Sequence, residues 1–333
     1  MIVSLLAALL PTLVLLWLLW WLDRYEREPV GLFVAAFMWG AAPAIVLSLG
    51  AEWILGAPFG QEGLGNSLVQ AAVIAPVVEE SLKGLALLGL LRFSRYEIDG
   101  ILDGVIYGAL VGAGFAMTEN FFYFLSAEAG SSLAALIFLR SFVFGLNHLL
   151  YTAITGAGVA LSLRLATPSV RRIVLISSLI LAMLFHAIHN FAVTLTASSP
   201  LLFLLSLASN WGGVLVMLLI LAVTLQRERR IVQAYLDTAG ASGLSALDRR
   251  RLTSFWPPRE RFVPNLPWLD AEKQRDKRLY QYVAELALRQ HRLLRLTGPR
   301  QTQVAQEIDA LQHKIDAIAA ARAQAAGNQN QNS

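Results

Sequence analysis

The sequence predicts an all-α polytopic membrane protein: a bundle of about seven transmembrane helices followed by a small helical cytoplasmic tail. Three observations lead to this fold class. Hydrophobic residues make up 56% of the 333 positions and charged residues only 15%, which is unlike a soluble domain of this size. Several apolar runs approach or exceed the roughly 20 residues that cross a bilayer core. The chain has no cysteine, which excludes disulfides and thiolate metal sites.

The predicted spans follow the positive-inside rule. The first span has no basic region before it and no small-residue cleavage site after it, so we interpret it as a retained helix rather than a signal peptide. The loops after the first, third and fifth spans carry arginines, whereas those after the second, fourth and sixth carry neither Lys nor Arg. This alternation predicts an outside N-terminus and a cytoplasmic C-terminus. The spans are 2–22, 30–55, 68–91, 101–125, 133–163, 173–197 and 201–225.

Two parts of the C-terminal half need separate interpretation. The stretch "LASNWGG" (207–213) is a possible break in the last span. Residues 201–208 alone would reach only about 12 Å, so we expect one helix there.

The tail after residue 226 has 18 Lys/Arg against 11 Asp/Glu. It is predicted to lie near anionic lipid headgroups, with partner recruitment as the alternative. The predicted division is a transmembrane domain at 1–226, a basic helical tail at 227–324 and a disordered end at 325–333. Within the tail, a Pro-rich connector (255–270) precedes a helical hairpin formed by 271–296 and 300–324.

The ionisable and polar residues inside the spans concentrate on four consecutive helices. A charge near the bilayer centre costs about 2.5–3.5 kcal/mol on insertion scales, so such residues usually face the bundle interior and mark function. They are Glu79, Glu80 and Lys83 on the third span; Asp103, Glu119 and Asn120 on the fourth; Arg140, Asn147 and His148 on the fifth; and His186, His189 and Asn190 on the sixth.

Depth and spacing predict that part of this set forms one site. At about 1.5 Å per residue, Glu79, Glu80, His148 and His186 all fall within a turn or two of mid-membrane. Lys83 follows the two acids at i+4 and i+3, so it can pair with either. Two adjacent carboxylates in a low-dielectric interior should not both ionise easily, which favours a base that activates water. A structural ion-pair cluster is the alternative.

Span four supplies a means of close helix approach. Gly104, Gly108 and Gly112 recur every four residues and form a stripe of small residues. Glu119 lies seven residues beyond Gly112, on the same face, and is predicted to point into the bundle.

Other polar residues have simpler interpretations. His189 is expected to be a hydrogen-bonded neighbour of His186, Arg140 to be the partner of an acid or a snorkelling residue, and Asp103 to have a structural or gating role. His186 and Asn190 share a helix face, as do His148 and Thr152. An imidazole beside an amide or hydroxyl suits either a metal ligand or an oxyanion donor.

Four motifs occur in order on these helices: "EESLK", "FAMTEN", "NHLLYT" and "HAIHN". Together they resemble the PrsW family of intramembrane proteases, within the wider clan of CAAX-type endopeptidases, over about residues 25–225. The resemblance implies peptide-bond hydrolysis of membrane-associated proteins, with an anti-sigma factor as the example substrate, in a prokaryotic cytoplasmic membrane, and no nucleic-acid partner. Carried over by motif, the implied catalytic residues are Glu79, Glu80, Glu119, His148, His186 and Asn190.

These residues fit two mechanisms. In the metal version, His148 and His186 bind Zn²⁺ with one carboxylate, Glu119 being the candidate ligand, and Glu79 or Glu80 is the base. In the metal-free version, Glu80 and His148 activate water, and His186 with Asn190 stabilises the oxyanion. Two rival functions are an ion-coupled transporter, since midplane acids also build proton relays, and a non-catalytic scaffold of the same fold.

Overall fold

The structure is a computed structural model whose regular elements are all helices over the residues that it describes. The all-α prediction is therefore confirmed. The predicted connector 255–270 lies outside the described residues, as do the loop residues Arg24 and Arg95. The described residues are 1–23, 25, 27–60, 63–94, 96–98, 100–127, 132–196, 199–238, 244–254, 271–294 and 298–331.

The chain divides into two compact units. The first comprises Met1–Asp23 and Glu28–Leu221, and the second Arg24–Arg27 and Ala222–Ser333. The helices that begin in the first unit are, in chain order, α1 (Ile2–Leu22), α2 (Val30–Trp39), α3 (Ile45–Gly56), α4 (Leu64–Val69), α5 (Ala75–Phe93), α6 (Ile101–Ala127), α7 (Leu133–Phe138), α8 (Asn147–Leu163), α9 (Pro168–Thr194) and α10 (Pro200–Thr238).

Three of the connections between these helices are turns of π-helix. They are π1 (Gly40–Ala44) between α2 and α3, π2 (Gln70–Ile74) between α4 and α5, and π3 (Leu139–Val143) after α7. A π-turn inserts one extra residue into a helix and occurs often at functional sites. Pro43 lies inside π1, and Pro76 lies two residues after π2, in the first turn of α5.

Six helices of the described chain are long and apolar enough to cross a membrane: Ile2–Leu22, Val30–Phe59, Ile101–Ala127, Leu133–Leu163, Pro168–Thr194 and Pro200–Asp237. The remaining predicted span, 68–91, lies within the helical run α4–π2–α5. It is not among the six because it carries Glu79, Glu80 and Lys83. The stretch 207–213 lies inside α10, so the prediction of one unbroken last helix is confirmed.

Helix α6 forms the centre of the first unit. It packs along α8 on one side and against α1, α2 and π1 on the other, and nearly every side chain from Leu102 to Ala116 is buried. The glycine stripe makes the contact with α8. A Cβ on Gly104, Gly108 or Gly112 would lie 2.2–2.3 Å from the carbonyl oxygen of Gly156, Thr152 or His148, respectively. The two backbones therefore touch, and the stripe sets the position of His148 against α6.

The second unit contains α11 (Ala246–Thr253), α12 (Ala271–Leu293) and α13 (Pro299–Gln331). Helices α12 and α13 pack against each other, as the sequence predicts for a hairpin. The backbone stays helical to Gln331, whereas the sequence predicts disorder from residue 325. The alanine-rich run that precedes this point has a high helix propensity, which accounts for the longer helix.

A buried carboxylate joins the tail helices. The Asp248 carboxylate accepts a hydrogen bond from the Tyr280 hydroxyl at 2.5 Å and pairs with Arg322 at 3.3 Å. Partial burial alone would raise the pKa of Asp248, but the hydrogen bonds from Tyr280 and Ser245 and the charge of Arg322 outweigh it and lower the pKa.

The close contact between α6 and α8 predicts a large effect of one methyl group. Gly108→Ala should lower the free energy of unfolding by about 1–3 kcal/mol, because its Cβ would overlap the α8 backbone. Gly89→Ala is the matched control, since nothing lies within 4 Å of a Cβ there, and it should leave stability unchanged or slightly higher. Denaturant unfolding in detergent micelles measures both. Equal stability of the two variants would contradict the described contact.

Candidate active site

Lys83 lies at the centre of the polar cluster and is fully buried. Its Nζ donates to Glu79 Oε2 at 2.9 Å and to Glu80 Oε1 at 2.8 Å. A third contact, 3.0 Å long, reaches His148 Nδ1. An ammonium has three N–H donors and no acceptor, so these three contacts use its full capacity.

The helix geometry of α5 produces this arrangement. Residues three and four positions apart lie on one face, which brings both carboxylates to the lysine. Phe115 of α6 lies beneath the ammonium, 3.7 Å from Nζ to the ring centroid, where a cation is attracted to the ring face. Lys83 is therefore held from two helices besides its own.

The hydrogen bonds assign the tautomer of His148. Its Nε2 lies 2.8 Å from Glu119 Oε2, and a carboxylate only accepts. The proton is therefore on Nε2, and the lone pair of Nδ1 faces Lys83. His148 stands in the first turn of α8, at the end of the glycine contact with α6, and this places it between the two helices that carry the acids.

The opposite tautomer follows for His186. Its Nδ1 lies 3.1 Å from Glu80 Oε1, so Nδ1 carries the proton and Nε2 keeps a free lone pair. The hydroxyl of Thr152 adds a longer contact to Glu80 Oε2 at 3.4 Å. The two imidazole rings meet edge to face with centroids 5.1 Å apart. The structure thus brings together four of the six predicted catalytic residues around Lys83.

Glu119 belongs to the same network but on the far side of His148. Arg140 donates to Glu119 Oε2 at 2.5 Å and to Asn120 Oδ1 at 2.7 Å. Its guanidinium also lies 3.8 Å from the centroid of the Tyr123 ring. The prediction that Arg140 is the partner of an acid is confirmed.

The charges of this network do not balance. Three carboxylates, those of Glu79, Glu80 and Glu119, face the permanent cations Lys83 and Arg140. With all three carboxylates ionised and both imidazoles neutral, one negative charge remains. A bound cation would compensate it.

Four residues of the described chain can offer a ligand atom to a single metal ion: Glu79, Glu80, His148 and His186. Their ligand atoms all lie within 4.8 Å of one another. Carboxylate oxygen and imidazole nitrogen are common zinc ligands. Glu119, the carboxylate that the sequence offers as a ligand, is not in this set, because its oxygen faces His148 Nε2 and Arg140.

Asn190 is placed differently from the sequence-based expectation. The amide of Ala75 bonds to the carbonyl of Gln70, five residues earlier, so the next carbonyl, that of Ala71, would need the N–H of Pro76. Proline has none. Asn190 Nδ2 donates to Ala71 O at 2.8 Å instead. The amide therefore ties α9 to the turn that precedes the acid pair.

The other two π-turns are held by side chains in a similar way. Thr118 of α6 donates to Ala41 O at 2.7 Å, and Trp211 of α10 donates to Val143 O at 3.0 Å. In hydrocarbon, a backbone carbonyl that lacks its helical partner must be paired by neighbouring helices. All three irregular turns are thus fixed by side chains of the helices packed against them.

Sequence reasoning missed one acid of this region. Glu52 of α3 is half-buried and interacts electrostatically with Glu79, Glu119 and Lys83. The sequence feature that could have identified Glu52 is a lone carboxylate in the apolar run 45–59. His189 fits its prediction as a hydrogen-bonded neighbour, since its Nδ1 lies 2.6 Å from Ser206 Oγ.

Comparisons with known proteins cover the helices that carry this cluster. A family model described as PrsW family intramembrane metalloprotease matches residues 28–225. Protease PrsW of Clostridioides difficile (strain 630) is 27% identical over 186 residues, which are 56% of this chain and 77% of that protein. Protease PrsW of Bacillus subtilis (strain 168) is 27% identical over 188 residues, 56% of this chain and 81% of that protein. No solved structure matches.

The role of Asn190 leads to a prediction about stability. Asn190→Leu should lower the free energy of unfolding by about 1–3 kcal/mol, because the Ala71 carbonyl loses its donor. Thr118→Val removes the corresponding donor at π1 and should cost a similar amount. Both are measured by denaturant unfolding in detergent micelles. Wild-type stability of Asn190→Leu would show that the amide does not hold this turn.

Proposed function

This chain belongs to the PrsW family of intramembrane metalloproteases, and we propose that the cluster of Glu79, Glu80, His148 and His186 is its hydrolytic centre. The chain is an integral membrane protein and an endopeptidase, a conclusion that disfavours the transporter and scaffold alternatives. The observation that carries the proposal is the convergence of two acids and two imidazoles from α5, α8 and α9 within 4.8 Å, deep in the membrane unit.

We propose zinc as the metal, held by His148, His186 and one carboxylate of the Glu79/Glu80 pair. The donor chemistry fits, since histidine nitrogen and carboxylate oxygen form the usual catalytic zinc sites. The contacts around the imidazoles also fit. Each has one nitrogen bonded to a carboxylate, which is the arrangement that orients zinc-binding histidines. The uncompensated negative charge adds an electrostatic attraction for a divalent cation.

Lys83 determines how the ion is held. The Nδ1 lone pair of His148 now faces the ammonium, and one lone pair serves only one partner. A metal on His148 Nδ1 and Lys83 in its present position therefore exclude each other. Lys83 acts in this proposal as an internal counter-ion that stabilises the acid pair, and it would have to leave His148 Nδ1 for that nitrogen to hold a metal ion.

The residues have distinct parts in hydrolysis. When bound, zinc lowers the pKa of a coordinated water toward 7. One carboxylate of the pair does not bind the ion and acts as the base. It accepts a proton from the attacking water while the water oxygen bonds to the peptide carbon. The same carboxylate returns the proton to the nitrogen as the C–N bond breaks. Glu119 and Arg140 keep the His148 ring fixed during these steps.

A metal-free version of the same centre remains the alternative, and the lysine contacts are the observation that favours it. With Lys83 in place, the ammonium already pairs with both acids. Glu80 would then be the base toward water, and His186, whose Nδ1 is held by Glu80, would present only its Nε2 side to a substrate. The side-chain amide of Asn190 donates to the Ala71 carbonyl, which gives little support to its predicted role as an oxyanion donor.

The substrate and the orientation are also proposals. A membrane-associated protein is the substrate class, with an anti-sigma factor as the example that the family resemblance offers. The alternation of arginine-rich and arginine-free loops supports an outside N-terminus and a cytoplasmic C-terminus in the bacterial cytoplasmic membrane.

The test compares cleavage products in cells that express the wild-type chain or a variant. Glu80→Gln and His186→Ala should each lower the rate of product formation by roughly 10²–10⁴-fold, since each removes a group that acts on the proton or orients the water. Mass spectrometry of new N-terminal peptides from membrane proteins measures the products. Asp237→Asn, an exposed acid of the tail, is the matched control and should keep wild-type products. An unchanged set of products in Glu80→Gln would sink the proposal.

A further inference from the structure

A second buried polar network lies behind the site and involves α8, α9 and α10. The Tyr151 hydroxyl donates to Asn210 Oδ1 at 2.7 Å. Asn210 Nδ2 lies 3.0 Å from His189 Nδ1 and donates to Ser206 O at 2.8 Å. Tyr151, Ser206 and Asn210 are each at most 1% exposed. Hydrolysis as described above uses none of these four residues, which we name the Tyr151 network.

The orientation of the Asn210 amide is fixed by its neighbours. If the amide were flipped, its oxygen would face the carbonyl of Ser206, and two acceptors would meet. The nitrogen therefore points to Ser206 O, and it also lies 3.0 Å from His189 Nδ1. Asn210 Oδ1 is left for Tyr151 alone, so the tyrosine hydroxyl has one defined partner.

The ring of Tyr151 touches both imidazoles of the site. It stacks on His186 with centroids 5.0 Å apart and planes 18° from parallel. It meets His148 edge-on at 5.9 Å and 77°. The hydrogen bond to Glu80 fixes one nitrogen of His186. A flat neighbour against the ring face restricts the remaining tilt of the ring plane.

We propose that Tyr151 is a positioning residue, whose ring is anchored by Asn210 and fixes the plane of His186, so that His186 Nε2 points at the reacting centre. The inference rests on the proposed role of the site, but its geometric part does not depend on a metal. It also gives a function to the polar residues of 207–213, which are unusual in a lipid-spanning helix. Asn210 brings α10 into contact with the catalytic helices.

The experiment uses full-length protein labelled with ¹⁵N-histidine in detergent micelles, first without metal. Tyr151→Phe keeps the ring and removes the anchoring bond. We expect the ¹⁵N and ¹H resonances of His186 to move and the ring-current shift from the stacked tyrosine to be reduced. Asn210→Leu should have the same effect. The double variant should shift the His186 resonances no further than either single variant, because both substitutions remove the same hydrogen bond. Titration with Zn²⁺ alone should show affinity weakened about 10–100-fold in each variant.

Tyr107→Phe is the matched control. It also removes a hydrogen bond of a fully buried tyrosine, to Glu28 at 2.7 Å, but on α6. It should keep wild-type His186 resonances and zinc affinity. A folded Tyr151→Phe protein with wild-type His186 resonances would overturn the inference. If Tyr151→Phe does not fold, wild-type His186 resonances in Asn210→Leu would overturn it instead. If the wild type binds no zinc, the metal proposal fails while the His186 resonances still test Tyr151.

Discussion

A buried ammonium among carboxylates is the interaction on which this site depends. Ionised groups in a hydrocarbon environment persist only if each is paired, and Lys83 pairs with both acids of α5 while it contacts His148. Removing one partner of such a buried pair typically costs about 3–5 kcal/mol. The lysine therefore allows two acids to sit side by side at mid-membrane. The ionised carboxylates of this network still outnumber its permanent cations by one, and this excess negative charge attracts a further cation.

The fold supplies the close approach that the charges need. Backbone contact between α6 and α8 brings Phe115 and Glu119 to His148 from one direction. The π-turn before α5, fixed by Asn190, sets the direction from which Lys83 and Glu79 approach the same imidazole. Each catalytic side chain is thus on a helix whose position is determined by a specific contact elsewhere. Regular apolar helices alone would not define positions this closely.

The sequence predicts most of the membrane fold and the membership of the site, because hydropathy fixes spans and a rise of 1.5 Å per residue fixes depth. It does not predict which atoms meet. A π-turn rotates the following helix by about 100° relative to an unbroken one, so faces counted from the helix start are misplaced. Asn190 bonds to Ala71 because π2 and Pro76 leave the Ala71 carbonyl without a helical donor, and the spacing within α9 does not reveal this. A partner from another helix, such as Arg140 for Glu119, is equally invisible in a linear chain.

Metal content is the measurement that tests the central claim most directly. Elemental analysis would be made on the purified, detergent-solubilised full-length chain, never exposed to a chelator, for the wild type, His148→Ala/His186→Ala and Lys83→Met. The account predicts about one zinc per wild-type chain and none in the double histidine variant. It also predicts that Lys83→Met retains zinc at a chelator concentration that strips the wild type, because the competing ammonium is gone. Absence of metal from both the wild type and Lys83→Met would contradict a metal centre at this cluster.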